Sequence, residues 1–167
     1  MALTFLSSGR RLTAAMLRAA IGDPARKTAN ESVTSSTVLQ ADDQLFLSVT
    51  INATYLFDSF IIADGAAAGG LKMQFTGPSG AVFNWGAFGV NFGGALNDYD
   101  VVMQTLAAGA PRAVGLNGAT AMCCQPKGVL TTAGNSGTFQ FNWAQNTSSV
   151  TATRVLALSY IRLIRIA

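Results

Sequence analysis

Side chains able to do chemistry are few in this sequence and fall in three places. Two adjacent carboxylates stand at Asp42-Asp43, a spaced pair at Asp98 and Asp100, and two adjacent thiols at Cys123-Cys124. Paired carboxylates can run acid–base chemistry or hydrolyse a glycoside when they flank a substrate. A thiol becomes a nucleophile when a base stands beside it. The sequence has no histidine, so Ser-His-Asp and Cys-His sites are excluded and the usual His/Cys zinc sites nearly so. Asp42-Asp43 is expected in a turn between two strands, bonded to nearby backbone. Asn97-Asp98-Tyr99-Asp100 offers oxygens for calcium but lacks the glycine and distal glutamate of an EF-hand loop, and a solvated turn is expected. Neighbouring cysteines make strained disulfides, so two free thiols are expected. No phosphate-binding loop is present, because Gly65–Gly70 carries alanines in place of the needed lysine. The expectation is a protein with no catalytic residue, no cofactor and no metal ligand, hence not an enzyme.

Composition says what such a chain does instead. Half of its 167 residues are apolar and 11% are charged, against about 25% charged in an average protein. A chain of this length is normally one domain with its own core. So little charge leaves two explanations, a membrane or burial against other copies. The apolar runs are too short for a spanning helix of about 20 residues: residues 59–63 stop at Asp64, and Arg162 and Arg165 cross residues 155–167. Arg10, Arg11 and Arg18 interrupt any signal-peptide core. Charge is also segregated. Bases dominate residues 1–28, acids dominate 29–100, and 101–167 hold bases alone. This favours contacts between subunits. Without a basic cluster interleaved with aromatics, no nucleic-acid partner and no membrane partner are expected.

The elements divide into an arm, residues 1–26, and a β body, residues 27–167. In the arm, Leu12–Ile21 reads as a short helix with Thr13 as N-cap, an apolar i, i+4 stripe, and Gly22 and Pro24 as stop signals. A helix this short is marginal alone and must dock on something. Beyond it, strands are expected at Ser32–Leu39, Leu45–Val49, Thr54–Ala63, Gly70–Thr76, Ala81–Phe88, Val101–Leu106, Gly128–Thr132, Thr138–Gln145 and Arg154–Ile166, with turns at residues 77–80 and 134–137. The fold class is all-β, a single antiparallel sandwich or jelly roll with a short N-terminal helical arm. The apolar and glycine-rich Gly86–Leu96 reads as a loop that orders on assembly, or as a bulged core strand.

Two expected strands carry more apolar surface than one core can use. Along Arg154–Ile166, Val155, Ala157, Ile161 and Leu163 share one face, and Leu156, Leu158, Tyr160, Ile164 and Ile166 share the other. Along Thr54–Ala63, Tyr55, Phe57 and Ile61 oppose Leu56, Phe60 and Ile62. An antiparallel sandwich buries one face of each strand. The second is expected against another subunit or under the chain's own loops.

The stretch from Arg26-Lys27-Thr28-Ala29-Asn30-Glu31-Ser32-Val33 to Gln40-Ala41-Asp42-Asp43-Gln44-Leu45 resembles the opening of small β-domains in virion proteins of actinobacterial tailed phages. So do Asn52-Ala53-Thr54-Tyr55, Phe139–Gln145, Ser159-Tyr160-Ile161-Arg162-Leu163 and the leader Phe5…Gly9…Leu12-Thr13-Ala14-Ala15. The resemblance covers most of residues 1–63 and 128–167, and its motifs are not catalytic. It implies a virion structural role, commonly as a trimeric knob on a capsid or tail. The resulting expectation is a capsid decoration or cement protein on the virion surface. Its body would trimerise through Leu156, Tyr160, Ile164 and Ile166. Its arm would dock on the major capsid protein, or another virion protein, through Phe5, Leu12, Met16, Leu17 and Arg18. The alternatives are a minor tail or tail-fibre protein, or a receptor- or glycan-binding module using Trp85 or Tyr99.

Overall fold

The computed structural model describes residues 9, 11, 13, 14, 16, 21–93, 101, 102, 105–118 and 120–167. Among these the chain is all-β and its strands pair antiparallel. The strands are β1 (Asp23–Arg26), β2 (Glu31–Val33), β3 (Gln40–Val49), β4 (Thr54–Asp64), β5 (Leu71–Thr76), β6 (Val82–Gly86), β7 (Gly89–Val90) and β8 (Val101–Val102). They continue with β9 (Thr105–Ala107), β10 (Arg112–Val114), β11 (Met122–Cys124), β12 (Lys127–Thr131), β13 (Gly137–Gln145), β14 (Thr153–Val155) and β15 (Tyr160–Arg165). The larger sheet runs β1-β15-β4-β12-β6-β9, with β2, β11 and β14 beside the far half of β4; the smaller runs β10-β5-β13-β3; β7 and β8 pair apart.

Period-two alternation builds both sheets. β4 buries Tyr55, Phe57, Ser59, Ile61 and Ala63, and β13 buries Phe139, Phe141 and Trp143. These inner faces meet in one aromatic core. Phe57 of the larger sheet lies 4.9 Å from Phe139 and 5.2 Å from Phe75 of the smaller, and Trp85 meets Phe75 edge-on at 5.1 Å. Such pairs add about 0.5–1.5 kcal/mol each beyond the area they bury.

β4 is the spine of the larger sheet. Its first half lies between β15 and β12, and its second half between β14 and β11. On each side the neighbour changes over at a break, and a buried serine fills it. Ser59 Oγ donates to Pro126 O at 2.6 Å, while Ser159 Oγ accepts from Ile62 N at 2.9 Å. Arg154–Ile166, expected as one strand, is therefore two. Between them Leu158 adopts φ +73°, its N–H donates to Lys27 O, and Lys27 N–H donates to Ser159 O.

Other expectations also change. The short helical arm is not seen: residues 1–8, 10, 12, 15 and 17–20 lie outside the described residues, and what is described includes Met16 N–H donating to Thr13 Oγ1 at 3.2 Å. Asp23–Arg26, assigned to the arm, is an edge strand on β15. The expected strand Ser32–Leu39 ends at Val33, and Ser35 adopts φ +53°. Asp42-Asp43 lies within β3 rather than in a connecting turn. Gln140 pairs with Phe46 and Asn142 with Ala41, so residues 42–45 bulge opposite Phe141 alone. The acid does bond nearby backbone: Asp42 Oδ1 accepts from Gln44 N at 2.9 Å and Leu45 N at 2.8 Å. Val101–Leu106 contributes β8 and part of β9, and Cys123-Cys124 belongs to β11.

Candidate interaction surface

The two sheets present different outer faces. On the smaller one, Gln140 and Thr76 are paired, as are Asn142 and Gln74, and Asn142 Nδ2 donates to Thr76 Oγ1 at 3.0 Å. Lys72 Nζ donates to Thr37 O. That face is polar, with Phe46 as an exposed exception.

The outer face of the larger sheet is organised in rows set by strand register. One row joins Ile164, Leu56, Val129 and Asn84 on β15, β4, β12 and β6. Leu56 is 42% and Val129 44% exposed, and Ile164 is half-buried. On one side the row is flanked by Thr54, Thr131 and the exposed Val82. On the other it is flanked by charges: Pro24, Arg162, Asp58 and Lys127 are neighbours across β1, β15, β4 and β12. Arg162 Nε reaches Asp58 Oδ1 at 2.8 Å and Nη2 reaches Oδ2 at 3.1 Å. Arg154 grips Asp64 the same way, at 2.7 and 2.5 Å. The hydrogen bonds first, and then the carboxylate charge, raise both guanidinium pKa values above their ordinary one. Past the charges, Tyr160 stacks on Phe60 with ring centres 6.4 Å apart.

The expected contact residues map onto this face unevenly. Tyr160 and Ile164 lie on it, two rows apart with Arg162 between. Ile166 follows the end of β15, its N–H donating to Thr54 O, and Leu156 sits in the break, its N–H donating to Ile62 O. Both edges of β15 are occupied, by β1 and β4, so it can meet a neighbour through side chains but cannot extend a neighbour's sheet. The expected set omits Leu56, Phe60 and Val129. Leu56 and Phe60 were legible as the second apolar face of β4. Val129 was not, because Gly128 and Leu130 beside it mask the alternation. Of the anchoring set, Phe5, Leu12, Leu17 and Arg18 lie outside the described residues; Met16 is half-buried.

The groups that could do chemistry stand apart from this face or from each other. Cys123 is exposed and Cys124 buried, and burial first, then the neighbouring Cys123, pushes the Cys124 thiol pKa far up. Among the described residues no cluster of three or more His, Cys, Asp or Glu side chains could hold a metal, and no helix is long and apolar enough to cross a membrane. Asp98, Tyr99 and Asp100 lie outside the described residues. Trp85 is 2% exposed and packs in the core, so it offers no platform for a sugar. A hollow of ≈ 270 Å³ lies between Asp64, Arg154, Gly65, Gly118, Thr151 and Ala152, with no aromatic ring in its lining.

No family model matches the chain. No curated protein matches it either. Among solved structures it is weakly similar to a chain of infectious bursal disease virus, Gt strain, at 8% identity over 86% of this chain and 40% of that one, with a TM-score of 0.21. The Gx strain of the same virus gives 11% identity over 87% and 42%, with a TM-score of 0.18. This chain thus spans about two fifths of those chains, and at such TM-scores the likeness carries no argument about fold or function.

Proposed function

We propose that this protein is a non-enzymatic virion structural component, a homotrimeric capsid decoration or cement protein held on the particle by its N-terminal arm. Its two-sheet body is read as a jelly-roll-like sandwich. The proposal includes the major capsid protein or another virion protein as partner, and excludes nucleic acid, membrane and cofactor. The observation that carries it is the outer row Ile164, Leu56 and Val129, which leaves apolar side chains half in water on one sheet while the other sheet's outer face is polar. Contiguous exposed apolar surface of this kind marks a contact with another molecule. The sequence resemblance to phage virion proteins names the setting.

The test has two parts. Sedimentation of the purified chain is expected to give a trimer, and a monomer at all concentrations removes the homo-oligomer. Cryo-electron microscopy of the particle is expected to show density for this chain at hundreds of copies on the capsid. A few copies at the tail, or none, rejects decoration.

A further inference from the structure

Lys27, Asp42 and Glu31 bring together an amine, an acyl carbon and a proton carrier, none of which the interaction surface uses. Lys27 Nζ lies 2.7 Å from Asp42 Oδ2 and 2.8 Å from Glu31 Oε2. The Lys27 side chain is 1% exposed, that of Asp42 0% and that of Glu31 16%, so bulk water is shut out around the nitrogen and the Asp42 carboxyl. The other Asp42 oxygen is held differently. Oδ1 accepts from two backbone N–H groups of the β3 bulge, Gln44 at 2.9 Å and Leu45 at 2.8 Å, which are the distances of an oxyanion hole.

Each participant is fixed from behind. The Lys27 backbone N–H donates to Ser159 O at 2.8 Å, and its carbonyl accepts from Leu158 N at 2.9 Å. The Asp42 carbonyl accepts from Gln140 Nε2 at 2.9 Å. Glu31 Oε1 accepts from Gln40 Nε2 at 2.8 Å, and Oε2 from Asp43 N at 3.3 Å. An ion pair needs only a cation and an anion. This one also has a carboxyl oxygen polarised by two donors and a second carboxylate on the same nitrogen. Those are the parts that acyl transfer to an amine requires.

We propose that Lys27 and Asp42 condense into an amide, an isopeptide bond within the chain, with Glu31 as proton carrier. A proton first passes from the Lys27 ammonium to the Asp42 carboxylate, leaving a neutral amine beside a neutral acid. In a site closed to water this removes two charges whose burial is costly. The amine lone pair then attacks Asp42 Cγ, and the carbonyl electrons move onto Oδ1, where the two N–H groups receive them. Glu31 takes a proton from the attacking nitrogen and passes it to the Oδ2 hydroxyl. The electrons return from Oδ1, the Cγ–Oδ2 bond breaks and one water leaves. Ammonium and carboxylate have become amide and water, with no oxidant or cofactor, and Glu31 ends as it began. Joining a separate amine and acid is unfavourable in water. Here fixed geometry replaces concentration, with effective molarities that reach about 10⁵–10⁸ M in well-oriented pairs, and a neutral amide replaces a buried ion pair. Each chain reacts once, with itself. The bond would tie the end of β1 in the larger sheet to β3 in the smaller. A pull on the N-terminal segment would then peel β1 no farther than Lys27.

The test is intact mass and tryptic mapping of the full chain, purified folded and then denatured. The expected mass is one water below that of the unlinked chain. Trypsin is expected to spare Lys27, whose amine is blocked, and to release residues 27–72 as one peptide lighter by one water. A chain of full mass with Lys27 cleaved overturns the proposal. Water loss that persists in Lys27→Arg, or with Lys27 still cleaved, marks an aspartyl succinimide and also overturns it. Asp42→Asn changes the leaving group, so linkage there is expected to release ammonia; an unchanged water loss places the link elsewhere and overturns the pairing. Glu31→Gln, followed over time after cell-free synthesis, is expected to link at least about 100-fold more slowly. Linkage at the wild-type rate overturns the role of Glu31.

Discussion

Lys27 Nζ lies 2.7 Å from Asp42 Oδ2 with both side chains sealed from water, and Glu31 approaches the same ammonium at 2.8 Å. The remaining carboxylate capacity is well used: Glu31 accepts from Gln40 Nε2 at 2.8 Å and from Asp43 N at 3.3 Å. The network fastens the end of β1 to the bulge of β3. Removing one partner of such a pair strands a buried charge, at a cost of about 3–5 kcal/mol, whereas replacing both with apolar groups is often close to neutral. Lys27→Met is therefore expected to lower the urea midpoint sharply, and Lys27→Met with Asp42→Leu to recover part of the loss. Additive losses in that double-mutant cycle would show that the two residues do not act as a pair.

Gly128 is expected to resist even the smallest substitution. A Cβ there would stand 2.3 Å from Asn84 O and 2.6 Å from Phe57 Cε1, between a backbone carbonyl and a core ring. Overpacking of this kind costs about 1–3 kcal/mol. Gly128→Ala should destabilise in denaturant titration, while Gly134→Ala, with open space around it, should change little.

Leu158 offers the opposite sign. Its φ of +73° costs a non-glycine residue about 1–2 kcal/mol, and its side chain is 60% exposed, so little packing is at stake. Leu158→Gly is expected to be neutral or to stabilise by up to about 1 kcal/mol, after the larger entropy of glycine in the unfolded chain is subtracted. A clear loss of stability would mean that the Leu158 side chain holds the break between β14 and β15.

Thiol titration should separate the adjacent cysteines. Cys123 is exposed, whereas Cys124 is buried with its pKa raised, chiefly by desolvation. The thiolate is the reactive species, so Ellman's reagent at pH 8 is expected to find one thiol in the folded chain and both in denaturant. Two fast thiols in the native protein would contradict the packing around β11.

The all-β class and the long core strands were legible because alternation over Thr54–Asp64 and Gly137–Gln145 is strong enough to fix which side faces inward. The buried faces of Phe139, Phe141 and Trp143 followed directly. Features that depend on distant partners were not legible. Asp42 reads as a turn acid until Lys27 is seen against it. The break at Leu158 is made by backbone bonds to Lys27, far away in sequence. β1 carries Pro24, which reads as a helix stop, and only pairing with β15 makes it a strand. The outer face was half legible: its apolar residues on β4 and β15 could be named, but not the neighbours that register places beside them.

Pro24 has a consequence for how copies of this chain could meet. β1 is an outermost strand of the larger sheet, and β9, at the other end of the row of strands, is only three residues long. Proline lacks the N–H that a strand from another chain would pair with, and short edges present little backbone to recruit one. Copies brought to high local concentration would thereby be turned away from fusing their sheets into fibres. Any approach would then run through side chains on the sheet faces rather than through backbone at the edges.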